Sequence, residues 1–297
     1  VPEAELANLP EIFRSRALKE GGFVHRAGGS YRPDATAWAV LALTVINQEP
    51  DLVEAARARL AADQQRDGRV SVSPQCPEAF WPTPLAALAW QGAPAYQSQH
   101  SRALNFLLAT TGLHWQPQGQ LPFAHDPSIQ GWPWTAHTHS WVEPTSLAMM
   151  ALKVAGLGDH ERVKEGARML LDRQLPKGGW NYGNTRVFDQ ELHPAPEYTG
   201  VALNALQGLK PREELKKSLE FLKSQVQGLR TPLSLGWALL GLGAWGERPA
   251  AADAWIAECL ARQAQYGSYD TTLLALLVVS RGRPEGLESV FAQGGRA

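Results

Sequence analysis

The stretch Thr145-Ser-Leu-Ala-Met-Met-Ala-Leu152 carries no charge over eight residues. Its apolar positions do not alternate as in a half-buried strand, and no polar stripe runs along it. It reads as a helix buried on most sides. The same pattern, a Ser or Thr opening an Ala/Leu-rich run, recurs five more times: Thr36–Leu43, Thr83–Trp90, Thr199–Leu206, Ser234–Leu240 and Thr271–Leu277. The chain therefore holds six copies of one unit. The hydroxyl at the head of each run is suited to cap unpaired backbone N–H groups at the helix start.

More polar helical stretches separate these runs, near residues 9–20, 52–65, 100–110, 160–174, 212–226 and 252–265. In the fourth, Val163, Ala167, Leu170, Leu171 and Gln174 fall on one helix face, while Arg162, Lys164, Glu165, Arg168 and Asp172 fall largely on the other. Alternating one polar-faced helix with one apolar helix, six times, builds a double ring with the apolar helices inside. The expected fold is all-α, an (α/α)6 toroid spanning residues 1–297 as a single domain. A solenoid that fails to close is the alternative.

Composition narrows the function. The 297 residues are 44% apolar and 19% charged, which is a globular balance. Lys plus Arg is 28 against 29 Asp plus Glu, so the basic excess of a nucleic-acid binder is missing. No apolar run approaches the ~20 residues that cross a bilayer. Two cysteines, Cys76 and Cys259, cannot form a disulfide framework or a cysteine-rich zinc site, although one bridge stays open. Val1–Ala7 lacks a basic n-region and an apolar h-region. The scattered basic residues give an anionic membrane no obvious electrostatic handle; a cytoplasmic protein is expected, with peripheral membrane contact, and a leader or tag trimmed before Val1, left open. Gly-rich phosphate loops, Gly-x-Ser-x-Gly and His-Glu-x-x-His are absent from the sequence.

The most specific local pattern is Gln174-Leu-Pro-Lys-Gly178-Gly-Trp180, with a weaker copy at Gln64–Val70 and a fragment at Gly21-Gly22-Phe23. The glutamine is placed to satisfy helix-end groups, the glycine to supply a left-handed residue that stops the helix, and the aromatic to pack over the turn. Together with Pro196-Glu-Tyr-Thr199-Gly-Val-Ala-Leu and Arg32-Pro33-Asp34-Ala-Thr36-Ala-Trp38, this turn resembles the QW-type repeats of the squalene-cyclase and protein-prenyltransferase superfamily. The resemblance implies a terpenoid-cyclase-like toroid whose members cyclise polyprenyl chains, prenylate proteins or bind partners.

Ser268-Tyr-Asp270-Thr271-Thr272 is similar to the Asp-x-Asp-Thr-Thr motif of class II terpene cyclases, with Ser268 in place of the first Asp. The resemblance implies Asp270 as the proton donor, and burial raises a carboxyl's pKa in the direction that role needs. A helix N-terminus pulls the other way, so helix capping is the rival role for Asp270. Asp34, Glu143 and Glu197 occupy comparable helix starts, so a closed ring gathers four acids at one mouth. Trp81, Trp132, Trp134, Trp141, Trp180, Tyr182, Tyr198 and Tyr269 precede or open inner helices. They are expected to line the mouth, where aromatic faces steady cations; ordinary turn packing is the alternative.

The long insertion Gln118–Pro144 adds His137 and His139, which share a side if the segment is extended and so form a weak candidate metal pair. The zinc site that the prenyltransferase resemblance implies has no match at Cys76 or Cys259. No cofactor is expected, except Mg2+ if the substrate is a diphosphate, which Arg32, Lys177 or Arg186 would contact from turns. The leading expectation is an isoprenoid-handling protein that starts cyclisation by protonation. A non-catalytic lipid- or peptide-binding toroid and a carbohydrate-active (α/α)6 enzyme are the alternatives.

Overall fold

The computed structural model of the chain describes residues 8–119 and 121–292. Six outer helices alternate with six inner ones. The outer set is α1 (Leu9–Arg16), α3 (Pro50–Asp63), α5 (Gln97–Ala109), α7 (Glu161–Asp172), α9 (Arg212–Val226) and α11 (Ala252–Ala261). The inner set is α2 (Pro33–Ile46), α4 (Thr83–Trp90), α6 (Val142–Leu152), α8 (Pro196–Leu206), α10 (Pro232–Ala244) and α12 (Thr271–Gly282). Among the described residues, β-structure is confined to a two-stranded hairpin, Arg186–Val187 with Gln190–Glu191, and isolated bridges. No helix of the described chain is long and apolar enough to cross a membrane.

The inner helices pack in the order α2, α4, α6, α8, α10, α12 and back onto α2, so the ring closes. From α3 onward, each outer helix lies against the inner helices that precede and follow it. Charge-poor runs go inside because both of their faces are covered, and their residues are buried along almost their whole length. The seam between the first and last repeats is polar. Thr271 N–H donates to the His25 carbonyl at 2.9 Å. The buried Arg16 guanidinium reaches the Tyr269 carbonyl at 2.8 Å and Thr271 Oγ1 at 3.3 Å.

The repeated threonines do not cap their own helices, which corrects the sequence expectation. In α2, α6 and α8 the N-cap lies upstream at Arg32, Trp141 and Ala195, leaving Thr36, Thr145 and Thr199 in the first turn. Their hydroxyls instead accept the backbone N–H of the preceding turn: Phe23 to Thr36 at 2.8 Å, Trp132 to Thr145 at 2.9 Å and Trp180 to Thr199 at 3.0 Å. Thr83 receives Val70 N–H in the same way, at 2.9 Å. Thr36 and Thr199 direct their own hydrogens to the carbonyl four residues back. Each hydroxyl thus latches the turn to the inner helix that follows it.

The turn glycines also act differently from expectation. α3 and α7 end at Asp63 and Asp172, several residues before Gly68 and Gly178. Both glycines have positive φ, +99° and +96°, and both press against the next outer helix. A Cβ would lie 2.1 Å from the Arg102 carbonyl oxygen at Gly68 and 2.5 Å from Lys217 backbone atoms at Gly178. The glutamines complete the joint. Gln64 Nε2 donates to the Gln99 carbonyl and Gln174 Nε2 to Ser218 Oγ, both on the following outer helix.

The ring is tightest where α8 meets α10. A Cβ on Gly200 would lie 2.2 Å from the Trp237 carbonyl oxygen, and one on Gly241 would lie 2.7 Å from Gly200. Inside the ring, the buried rings of Trp38 on α2 and Trp237 on α10 meet edge to face at 5.7 Å. At the C-terminal ends of the inner helices, a 3-10 turn at Leu287–Val290 packs its Leu287 into the core. Leu287 N–H donates to Asn204 Oδ1, and Lys153 pairs with Glu288 at 2.6 Å.

Candidate functional site

All inner helices start on the same rim, because each follows an antiparallel outer helix through a connecting turn. Asp34, Glu143 and Glu197 are the second residues of α2, α6 and α8, and Asp270 is the N-cap of α12. The fold therefore brings the four acids to one end, but their surroundings differ.

Asp34 is buried and bound on both oxygens, by His25 Nε2 at 2.9 Å and by Arg32 Nε at 2.9 Å. Burial alone would raise its pKa, yet the bonds from His25 and Arg32 outweigh it and hold the carboxyl below the usual range. Asp34 is a fixed carboxylate, so its expected place among the proton donors is corrected. Asp270 Oδ1 accepts Leu273 N–H at 2.9 Å, the bond of an N-cap. Its charge also favours the Arg16 guanidinium at the seam.

Glu143 and Glu197 share a cavity with Tyr198, Val201, Leu233 and Trp237. Burial, and then the negative charge of Glu197, push the Glu143 carboxyl up to about 7. Ser234 donates its hydroxyl to Glu197 Oε2 at 2.7 Å. Burial, followed by Glu143, Glu197 and Tyr182, raises the Tyr198 phenol. The cavity measures ≈ 30 Å³, room for one or two waters. Pockets that enclose small-molecule ligands run to roughly 300–1,000 Å³. Beside this cavity, Trp237 packs edge to face on Trp38 from α2.

The aromatic residues divide. Tyr198 lines the cavity, and Tyr182 packs on Trp141 at 5.8 Å beside it. Trp81 and Trp134 pack on each other at 5.5 Å, both partly exposed. Trp132 and Trp180 are corrected: both are fully buried between the helix layers. The Trp132 indole donates to the Leu107 carbonyl on α5 and lies under the Arg162 guanidinium. The Trp180 indole donates to the Leu170 carbonyl on α7. Tyr269 turns toward the outer layer, donating its hydroxyl to the Cys259 carbonyl on α11. Trp237, Val201, Leu233 and Ser234 are site residues that the sequence did not single out. The available signal was helical spacing, since Leu233 and Trp237 are four apart and share a face.

His137 and His139 do not share a side. His137 has φ +60°, which breaks the extended backbone that pairing requires, and the His139 ring lies 5.3 Å from Trp115 and 6.3 Å from Trp141. Among the described residues, no group of three His, Cys, Asp or Glu is placed to hold a metal ion. Cys76 and Cys259 are free thiols, exposed and buried respectively. Arg32 is engaged by Asp34, and Arg186 lies 3.9 Å from Asp189.

No protein-family model and no curated protein matches the chain. Solved structures do. A protein from Actinoplanes superposes with a TM-score of 0.63 at 15% identity, covering 99% of this chain and 100% of that one. An apo form of the type II terpene cyclase MstE from Scytonema gives 0.62 at 16% identity, covering 96% and 97%. An alpha-amylase from Clostridium perfringens gives 0.58 at 10% identity, covering 95% and 98%. The fold is terpene-cyclase-like. At these identities the likeness concerns architecture, and different chemistries share it.

Proposed function

We propose that the protein handles an isoprenoid or a similar unsaturated hydrocarbon chain at the Glu143–Glu197 mouth, with Glu143 as proton donor. The observation that carries this reading is a carboxyl raised to about 7 beside an apolar and aromatic wall. The Glu143 O–H bond gives its proton to an alkene carbon, leaving a carbocation on the chain and a carboxylate on Glu143. The Trp237 and Tyr198 rings border the space where that charge forms, and aromatic faces stabilise cations. Loss of a proton from the intermediate back to the Glu143 carboxylate restores the acid and closes the cycle without an oxidant or reductant. The reading requires Leu233 and Tyr198 to swing from the mouth, because the cavity as it stands admits only water. The terpene-cyclase neighbours support it at the level of fold.

The test is incubation with squalene and with farnesyl and geranylgeranyl diphosphate, with and without Mg2+, and mass spectrometry of the products. Cyclised or isomerised product is expected from the parent and the Asp270→Asn variant, and none from Glu143→Gln. A retained lipid without conversion would instead favour a non-catalytic carrier.

A second reading, carbohydrate chemistry, draws on two carboxyls at one mouth with Tyr182 and Trp115 exposed near it. Glycosidases use such a pair as acid and base or nucleophile. Release of reducing sugar from soluble oligosaccharides, lost in both Glu143→Gln and Glu197→Gln, would favour it over the isoprenoid reading.

A further inference from the structure

Each of the six inner runs opens with a hydroxyl, at Thr36, Thr83, Thr145, Thr199, Ser234 and Thr271. Five of these donate to a backbone carbonyl: Thr36 to Arg32, Thr83 to Val70, Thr145 to Trp132, Thr199 to Ala195 and Thr271 to Val24. Ser234 donates to a side chain instead, Glu197 Oε2, at 2.7 Å. Its place in the helix explains the difference. Thr36 and Thr199 are the fourth residues of α2 and α8, each of which opens with a proline. Ser234 is the third residue of α10, which opens with Pro232, so it stands about 100° round the axis from the latch position. Leu235 holds that position and is fully buried. Departure from a repeated local rule marks a place where function is to be sought.

The acceptor belongs to the cavity where Glu143 from α6 meets Glu197 and Tyr198 from α8 and Leu233 and Trp237 from α10. The two carboxyls are treated unequally. Glu197 receives the Ser234 hydroxyl, whereas Glu143 makes no hydrogen bond among the described residues. Neither is ion-paired among those residues, and Tyr198 and Tyr182 are the other titratable groups at this mouth. A serine has one hydrogen to give, and a hydrogen bond from it favours the charged form of a carboxylate. Negative charge on Glu197 then makes Glu143 the better place for a proton.

We propose that Ser234 is a positioning residue that decides which member of the Glu143–Glu197 pair carries their one proton, and that it assigns the proton to Glu143. As a catalytic device this rests on the reading of Glu143 as donor, and it adds the group that keeps the proton off Glu197. Ser234 acts through Glu197 and takes no part in the transfer itself. Without its hydroxyl the pair loses its asymmetry, and the proton is divided between carboxyls on two different helices. A chain seated for attack by Glu143 would then meet a carboxylate there in part of the molecules and could not be protonated.

The test is a pH titration of the full chain, labelled with carbon-13 at the glutamate carboxyls and followed by NMR. Glu143→Gln and Glu197→Gln assign the two signals. In the parent, the Glu143 signal is expected to move alone through the step at about pH 7. In Ser234→Ala both signals should share that step, with the ratio of protonated Glu143 to protonated Glu197 falling at least about tenfold. Ser234→Thr, which keeps the hydroxyl, should behave as the parent does, and circular dichroism checks that each variant is folded. A Glu197 signal that moves with that of Glu143 in the parent, or an unchanged ratio in Ser234→Ala, overturns the proposal. An equal fall in Ser234→Thr would assign the effect to packing and overturn it as well. The titration needs no turnover. Signals that behave as expected in a chain that forms no product would sink the donor reading and leave the proton's assignment standing.

Discussion

The Glu143 carboxyl keeps its proton to about pH 7 because it is buried and faces Glu197. Between the ordinary glutamate value of 4.5 and about 7, the folded chain holds a proton that the unfolded chain has released. Stability therefore falls as pH rises through that window, and the contribution is complete below it. Glu143→Gln should flatten the fall in Tm across that range and raise stability at pH 8 by at most about 3 kcal/mol. Thermal melts in a pH series measure this, and an unchanged slope would show that Glu143 titrates normally. If Glu143 is the donor, turnover should decline above pH 7 in parallel. Sequence places Asp34, Glu143, Glu197 and Asp270 at helix starts, and from there to one rim. It does not show which of them is neutralised. Asp34 is held by His25, from a loop nine residues upstream, and by Arg32; Glu197 is met by Ser234 from the next inner helix.

The turns before α4 and α8 are each held by three parts: a glycine against the next outer helix, a glutamine reaching it, and a threonine that receives the turn's N–H. Gly178→Ala demands a positive φ from a residue with a Cβ and drives that Cβ into Lys217 backbone. We expect it to cost about 2–4 kcal/mol in denaturant unfolding. Thr199→Val keeps the shape but leaves the buried Trp180 N–H without its acceptor. A loss of about 1–3 kcal/mol is expected there, with the Trp180 amide showing faster hydrogen exchange. The helices of this element were legible from charge-free runs alternating with amphipathic ones. The latch was not, because a threonine near a helix start has the same signature whether it caps its own helix or grips the turn before it. Trp132 and Trp180 misled for a related reason: an aromatic leading into an inner helix can point down between the layers as readily as inward.

At the scale of the whole molecule, ring closure was readable from the number of repeats, and the filling of the ring was not. Trp38 and Trp237 come from helices separated by α12, and no local pattern announces that their rings meet inside. Trp237→Ala should remove that filling at a cost of about 3–5 kcal/mol. It should also let the protein take up geranylgeraniol, measured by native mass spectrometry. A variant that collapses and stays empty would show that the interior closes by other means.

The joint at Gly200 and Gly241 bears on how such a vessel swells. Two backbones already in contact cannot approach further, and sliding them apart would forfeit the packing that their missing side chains allow. Like a cask with two staves glued together, the protein must breathe along its other joints. The seam between α4 and α6, where neighbouring inner helices touch least, is the natural place to give. Pairs of spin labels should then separate across that seam on loading, while a pair across α8 and α10 keeps its spacing.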